Sequence, residues 1–217
     1  EVLQRFMEKY PDVEVIFRDG NQAELMKMFQ EGSVDYMISV CSEEITDVVR
    51  TEIARERVLL ALPEHHPAIA HAYQVGNEPY PHLDVRYLDR ETFIVPVTGQ
   101  SMRMTANRIF QQARIRPGRL IEIGHFDVIM SMVNIGLGIG FNRLGYIHDM
   151  QKFEHVRYFF VDHEAYRSSL ELIRRKGHVI SNCERDFLDI LVKTIQSRYG
   201  MEAVGKYKDT TDTENGQ

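Results

Sequence analysis

Apolar positions along the chain fall first into a helical rhythm and then into an alternating one. Val2, Leu3, Phe6, Met7 and Tyr10 recur at helical spacing, and Pro11 ends the run. Val13, Val15 and Phe17 then alternate with Glu14, Ile16 and Arg18, the pattern of a strand stopped by Asp19 and Gly20. Asn21 with Glu24 three residues on has the form of a capping box. Leu25, Met28 and Phe29 share one face of the helix that follows, and Gly32 closes it. An apolar run at 36–40 predicts a buried strand, giving the order α-β-α-β. Because a helix normally crosses between two parallel strands, a chain that opens on a helix implies a further strand and loop upstream of residue 1.

Residues 48–53 and 58–62 predict two more strands. Pro63, Glu64, His65, His66 and Pro67 break the pattern before a looser polar stretch that runs to about Arg90. Phe93, Ile94, Val95, Pro96 and Val97 form a short apolar run that stops at Thr98 and Gly99. A helical pattern begins at once with Met102, Ala106, Ile109, Phe110 and Ala113. A strand at 120–123 and a helix over 127–135, with Val128, Ile129, Met132 and Val133 inward, complete this second α/β unit. Strands at 156–161 and 169–173 follow. Ser181 with Glu184 is another capping box, and the final helix carries Phe187, Leu191 and Ile195 to a stop at Gly200. Residues 201–217 have few apolar positions and no period, and are expected to fray. Two α/β units separated by an irregular connection predict two lobes.

With 217 residues, 43% of them hydrophobic, the chain can fill one large or two small cores. Its net charge is −6, from 32 acidic and 26 basic residues, and no run of Lys and Arg makes a nucleic-acid stripe. Cys41 and Cys183 lie far apart without CxxC spacing, which fits thiols of a reducing, cytoplasmic compartment. No apolar run approaches the ~20 residues of a membrane span.

The junction at 93–103 is a strand, a tight turn and a helix start. Unpaired backbone N–H groups and the positive end of a helix dipole converge there, so an anion or polar ligand can be held with few side chains. Gly136, Gly138 and Gly140 invite a nucleotide-loop reading, but a helix precedes them and a strand follows, the reverse of what that motif requires; they read as a helix cap and a close-packed turn. His65 and His66 and the scattered His148, His155, His163 and His178 lack the spacing of a metal site. Ser101 has no nucleophile elbow, and no nucleophile, base and orienting group can be assigned, so neither a metal nor catalysis is expected.

The ordered set of FMEKYPDVEVIFRDGNQAELMKMFQEGSVDYMI, VLLALPEHHPAI, a Gln-Ser-Met-Arg helix start and FDVIMSMVNIGLGIGF resembles the effector-binding domain of LysR-type transcriptional regulators, from about residue 2 to residue 199. The resemblance implies an α/β fold of the type II periplasmic-binding-protein kind, two Rossmann-like lobes joined by two crossover strands, at 58–62 outward and 169–173 back. Lobe one would hold residues 1–62 and 174–200, and lobe two residues 63–173. It also implies a small-molecule effector in the interlobe cleft, no cofactor, and a homodimer or homotetramer. The helix at 22–31 would pack on the partner's helix at 127–135, where Met26, Met28, Met130 and Met132 would supply adaptable surface. DNA would be bound only through an N-terminal winged helix-turn-helix, which is not in this stretch of sequence, and no membrane partner is implied.

On the same resemblance, Thr98, Gly99, Gln100, Ser101 and Met102 line the cleft and Arg103 pairs with a ligand carboxylate, favouring an organic acid. The alternative is that Ser101 only caps the helix and Arg103 faces solvent. Asn21 faces the cleft from lobe one, or is a plain N-cap, or both. Ser39, Val40 and Cys41 belong to the same mouth, because ligands of open α/β sheets bind beyond the carboxyl ends of strands. His125 and Phe126 are cleft residues at the second strand-to-helix junction, and Asp127 is the cap of its helix. The reading is a ligand sensor. Its rivals are a solute-binding protein of a transporter and an enzyme on the same fold.

Overall fold

In a computed structural model of the chain, residues 1–40, 46–147, 152–161, 168–198 and 202–203 are described. Their elements are α1 (Val2–Lys9), α2 (Gln22–Gln30), β1 (Tyr36–Ser39), β2 (Val48–Glu56), β3 (Val58–Pro63), β4 (His82–Leu83), β5 (Thr92–Pro96), α3 (Ser101–Ala113), β6 (Arg119–Ile123), α4 (Phe126–Asn134), β7 (Gly140–Arg143), α5 (Leu144–Ile147), β8 (Val156–Val161), β9 (Ser168–Arg175), α6 (Asn182–Arg198) and β10 (Glu202–Ala203).

Two sheets divide these strands. One has the order β1-β9-β2-β10, all antiparallel; the other has the order β4-β8-β3-β7. The parallel pair β5-β6 joins the second sheet through Ile139, which exchanges backbone hydrogen bonds with Thr92 and Ile94 at 2.9 and 2.8 Å. In the first lobe the alternation along β9 decides which helix each face buries. Leu172 points with Ile53 into the core beneath Leu188, Val192 and Ile195 of α6, while Ile173 points with Met37 toward Met26 and Phe29 of α2. In the second lobe β3 is buried on both faces. Leu60 and Leu62 pack with Phe93, Phe110 and Phe141 on the α3 side, and Ala61 packs with Ile94, Ile129 and Val133 on the α4 side.

Both capping boxes form. Asn21 Oδ1 accepts from Glu24 N while Glu24 Oε2 accepts from Asn21 N, each at 3.0 Å; Ser181 and Glu184 make the same exchange at 3.2 and 2.7 Å. The turn after α4 is the expected cap. Gly136, at φ +81°, donates to Val133 O, and at Gly138 a Cβ would sit 2.8 Å from Thr92 O, so only glycine lets β5 pass this close.

The structure departs from the sequence reading in several places. The alternating segment 13–17 forms no strand and pairs with none of the described strands, and Ile16 and Phe17 stay 59% and 58% exposed. The segments expected to cross between lobes each lie within a single sheet: β3 belongs to the second and β9 to the first. The outward change of sheet falls instead at Arg57, between β2 and β3. Arg57 is held to the second lobe by Glu78 (2.8 Å), by stacking over Phe160 (3.4 Å) and by its carbonyl, which accepts from Leu144 N (3.1 Å). Glu202 and Ala203 pair with Arg55 and Ala54 of β2, where a frayed tail was expected. α4 begins at Phe126 with His125 as its N-cap, so Asp127 lies in the first turn and is not the cap. Met26 and Met130 are buried in their own lobes, and the apolar surface at α4 and just after it comes from Val128, Ile135 and Leu137.

Glu184 concentrates electrostatic stability at the start of α6. Burial opposes its charge, but hydrogen bonds from Ser181, His178 and Tyr36 outweigh it and hold the carboxyl down from the usual 4.5 to about 2. A depressed carboxyl stabilises the fold above its unfolded pKa, and that stability disappears as pH falls through 4.5 toward about 2. The loss amounts to at most about 3 kcal/mol. Urea unfolding followed by circular dichroism should show a steeper fall of stability over this range in the native chain than in Glu184→Gln.

Candidate ligand cleft

Three loops of the second lobe converge at one end of its sheet. The first joins β5 to α3. Gly99, at φ +94°, reverses the chain there in a conformation that side chains disfavour. Gln100 occupies the N-cap position of α3 without capping it; its Nε2 donates instead to Gly124 O at 3.0 Å, tying this loop to the second one, between β6 and α4. α3 therefore starts at Ser101 with no N-cap side chain on its first N–H groups, and the positive end of its dipole is free to meet an acceptor. The third loop runs from β7 into α5. From it Arg143 Nη2 donates to Ser101 Oγ at 3.2 Å, and the Tyr146 ring lies against Phe126 with centroids 6.0 Å apart.

Thr98, Gly99 and His125 are exposed on these loops, and Gln100, Ser101 and Phe126 are partly exposed. Met102 and Arg103 are not with them. Met102 is a core residue packed among Leu60, Phe93 and Ala106. Arg103 turns under α3. Its guanidinium donates to Pro96 O (3.1 Å) and Asn107 Oδ1 (3.0 Å) and pairs with Glu122 at 2.8 Å, so its donors serve the packing of α3 on β5 and β6 and do not face a ligand carboxylate. Within the first turn of α3, residues 102 and 103 point back onto the sheet, which separates them from Ser101 next door.

On the first lobe, Asn21 spends its side-chain oxygen on the capping box. Ser39 ends β1 opposite Glu171, and Ser39 and Val40 are both partly buried; Cys41 lies outside the described residues. Among the described residues no hydrogen bond joins Asn21, Ser39 or Val40 to the three loops. One connection between the lobes, among the described residues, runs through Glu56, the last residue of β2. Its Oε2 accepts from Arg143 Nη1 at 3.1 Å and its Oε1 from Gly145 N at 3.3 Å. The Glu56 and Arg143 side chains are only 6% and 3% exposed. Glu56, Arg143 and Tyr146 escaped the sequence reading. Glu56 and Arg143 are 87 positions apart and neither sits in a motif, so nothing local announces the pair.

Among the described residues no group of three His, Cys, Asp or Glu side chains gathers as a metal site would, and no helix is long and apolar enough to cross a membrane. Several histidines are taken up in carboxylate pairs, His82 with Glu78 and His178 with Glu184, each at 2.7 Å.

Two α/β lobes with loops gathered where the chain passes between them define the type II periplasmic-binding-protein fold. The model of the LysR substrate binding domain matches residues 1–196, and the chain belongs to that family. A curated relative, the HTH-type transcriptional regulator CfxR of Cupriavidus necator, is 26% identical over 140 residues, which make up 64% of this chain and 41% of that protein. The chain thus spans less than half the length of this relative. Among solved structures, the CcmR regulatory domain of Synechocystis in complex with 2-PG superposes with a TM-score of 0.74 at 19% identity, covering 90% of both chains. The BenM effector-binding domain with its effector benzoate gives a TM-score of 0.74 at 14% identity, covering 92% of this chain and 86% of that one.

The placement of Arg103 makes it a stability residue. Arg103→Ala removes the buried guanidinium's bonds to Pro96 O and Asn107, while the exposed Glu122 carboxylate is re-hydrated, at a cost of about 2 kcal/mol. Thermal unfolding should register that loss, with the melting temperature several degrees lower than for Ser101→Ala.

Proposed function

We propose that this chain is the effector-sensing part of a LysR-type transcription regulator, and that a small acidic molecule binds between its lobes against the start of α3. The observation that carries this reading is the uncapped first turn of α3 beside the partly exposed Ser101 hydroxyl, in a chain whose residues 1–196 match the LysR substrate binding domain. Thr98, Gly99, Gln100 and Ser101 form the acceptor-binding wall, His125 and Phe126 with Tyr146 flank it, and Asn21, Ser39 and Val40 face it from the first lobe. Met102 and Arg103 support that wall from behind.

The effector acts by differential affinity. It favours one relative orientation of the lobes and so shifts the subunit arrangement of an oligomer, without chemical turnover. Side-by-side pairing of α2 with the partner's α4 would cover the exposed Val128 and Ile135. DNA contact belongs to a winged helix-turn-helix outside this sequence, and the working compartment is the cytoplasm. That the matched relatives are transcription regulators weighs against a transport role.

Calorimetric titration with benzoate and with 2-PG tests the reading. Saturable binding of at least one of these acids is expected, weakened about fivefold to tenfold in Ser101→Ala, the worth of one hydrogen bond of about 1 kcal/mol. Unchanged affinity in that variant would remove the α3 turn from the site.

A further inference from the structure

We infer that Arg143 is the positioning residue of this cleft: it presents the Ser101 hydroxyl to the effector as a donor and, through Glu56, ties the effector turn to the point where the chain leaves the first sheet. The inference rests on the effector reading of the α3 turn, and its geometry stands independently. A serine hydroxyl has one proton to give and two lone pairs. One lone pair of Ser101 is already met by Arg143 Nη2 at 3.2 Å, and among the described residues its proton has no acceptor. The proton is thus left to be donated to an acceptor atom of the ligand, such as a carboxylate or phosphate oxygen, and the Arg143 guanidinium next to it favours an anion over an ammonium there.

The same guanidinium reaches the other lobe. Nη1 donates to Glu56 Oε2 at 3.1 Å, and the second oxygen of Glu56 accepts from Gly145 N at 3.3 Å. Both charged side chains are more than nine-tenths buried, so neither can be re-solvated if the other moves. Glu56 is the last residue of β2, and Arg57, next to it, is fixed to the second lobe. An anion arriving at Ser101 draws the guanidinium toward itself. Glu56, still bonded to Nη1, follows it, and its second oxygen moves off Gly145 N, where α5 meets the crossover.

A carboxylate placed at position 101 imitates the arriving anion without any ligand. Ser101→Asp suits the first turn of a helix, where acidic side chains are favoured, so the variant should fold. Amide hydrogen exchange of the full chain reads the response at Gly145, with the β3 amides of Leu59 and Leu60 as reference for global opening. Exchange at Gly145 relative to β3 is expected to rise at least about threefold in Ser101→Asp. The rise should vanish when Arg143→Lys or Glu56→Gln is added, because a lysine cannot span two partners and a neutral glutamine no longer holds the guanidinium. A native-like rate at Gly145 in Ser101→Asp, or an equal rise in both double variants, overturns the inference. Binding of benzoate or 2-PG by the native chain without the Gly145 response would sink this inference alone. The response without binding of either acid would sink the effector reading alone.

Discussion

A charge taken out of water must find a counter-charge that is equally fixed, and the Glu56–Arg143 pair imposes that demand on the whole architecture. One partner ends a strand of the first sheet and the other ends a strand of the second, so the cost of separating them is paid whenever the lobes come apart at this point. The pair also fixes three loop ends at once: the start of α3 through Ser101, the start of α5 through Gly145, and the end of β2. The β5–α3 turn is in this sense defined by an interaction outside it. Remove the guanidinium and the turn keeps its backbone but loses the group that orients its hydroxyl.

Packing supplies what the ion pair cannot. In the second lobe the rings of Phe93, Phe110 and Phe141 meet within 4.8 to 5.7 Å and lock α3 onto β5 and β7. Arg103, donating to Pro96 O at the end of β5, finishes that lock on the side next to the cleft. The β5–α3 turn is thus held from beneath by Phe93 and Arg103, while its exposed surface carries mainly small or polar groups beside Val97. Rigid support under a sparse polar surface lets a few hydrogen bonds discriminate among ligands.

How much of this was legible depended on the range of each interaction. The capping boxes of Asn21 with Glu24 and Ser181 with Glu184 were read correctly because both partners lie three residues apart. The cap at Gly136 was readable for the same reason, as was the membership of the family from an ordered set of local strings. The segment at 13–17 misled because alternation records only a preference for pairing, and Ile16 and Phe17 find no ladder beside them. Arg103 misled because its sequence neighbours suggested a ligand while its helical phase sent it to Glu122. Glu56 and Arg143 were invisible, since only the finished fold brings positions 87 residues apart into one buried contact.

Arg57 carries a mechanical consequence. Its charge, its ring stack on Phe160 and its carbonyl all belong to the second lobe, so it travels with that lobe as a fixed bracket. A rotation of the lobes about this connection would then take its axis upstream of both Arg57 and Glu56, within β2. The ladder of that strand with β9 is already irregular between Glu52 and Ala54. With its pivot at that irregularity, the earlier part of β2 would act as a lever arm, and small displacements at the cleft would be magnified at the far end of the first lobe.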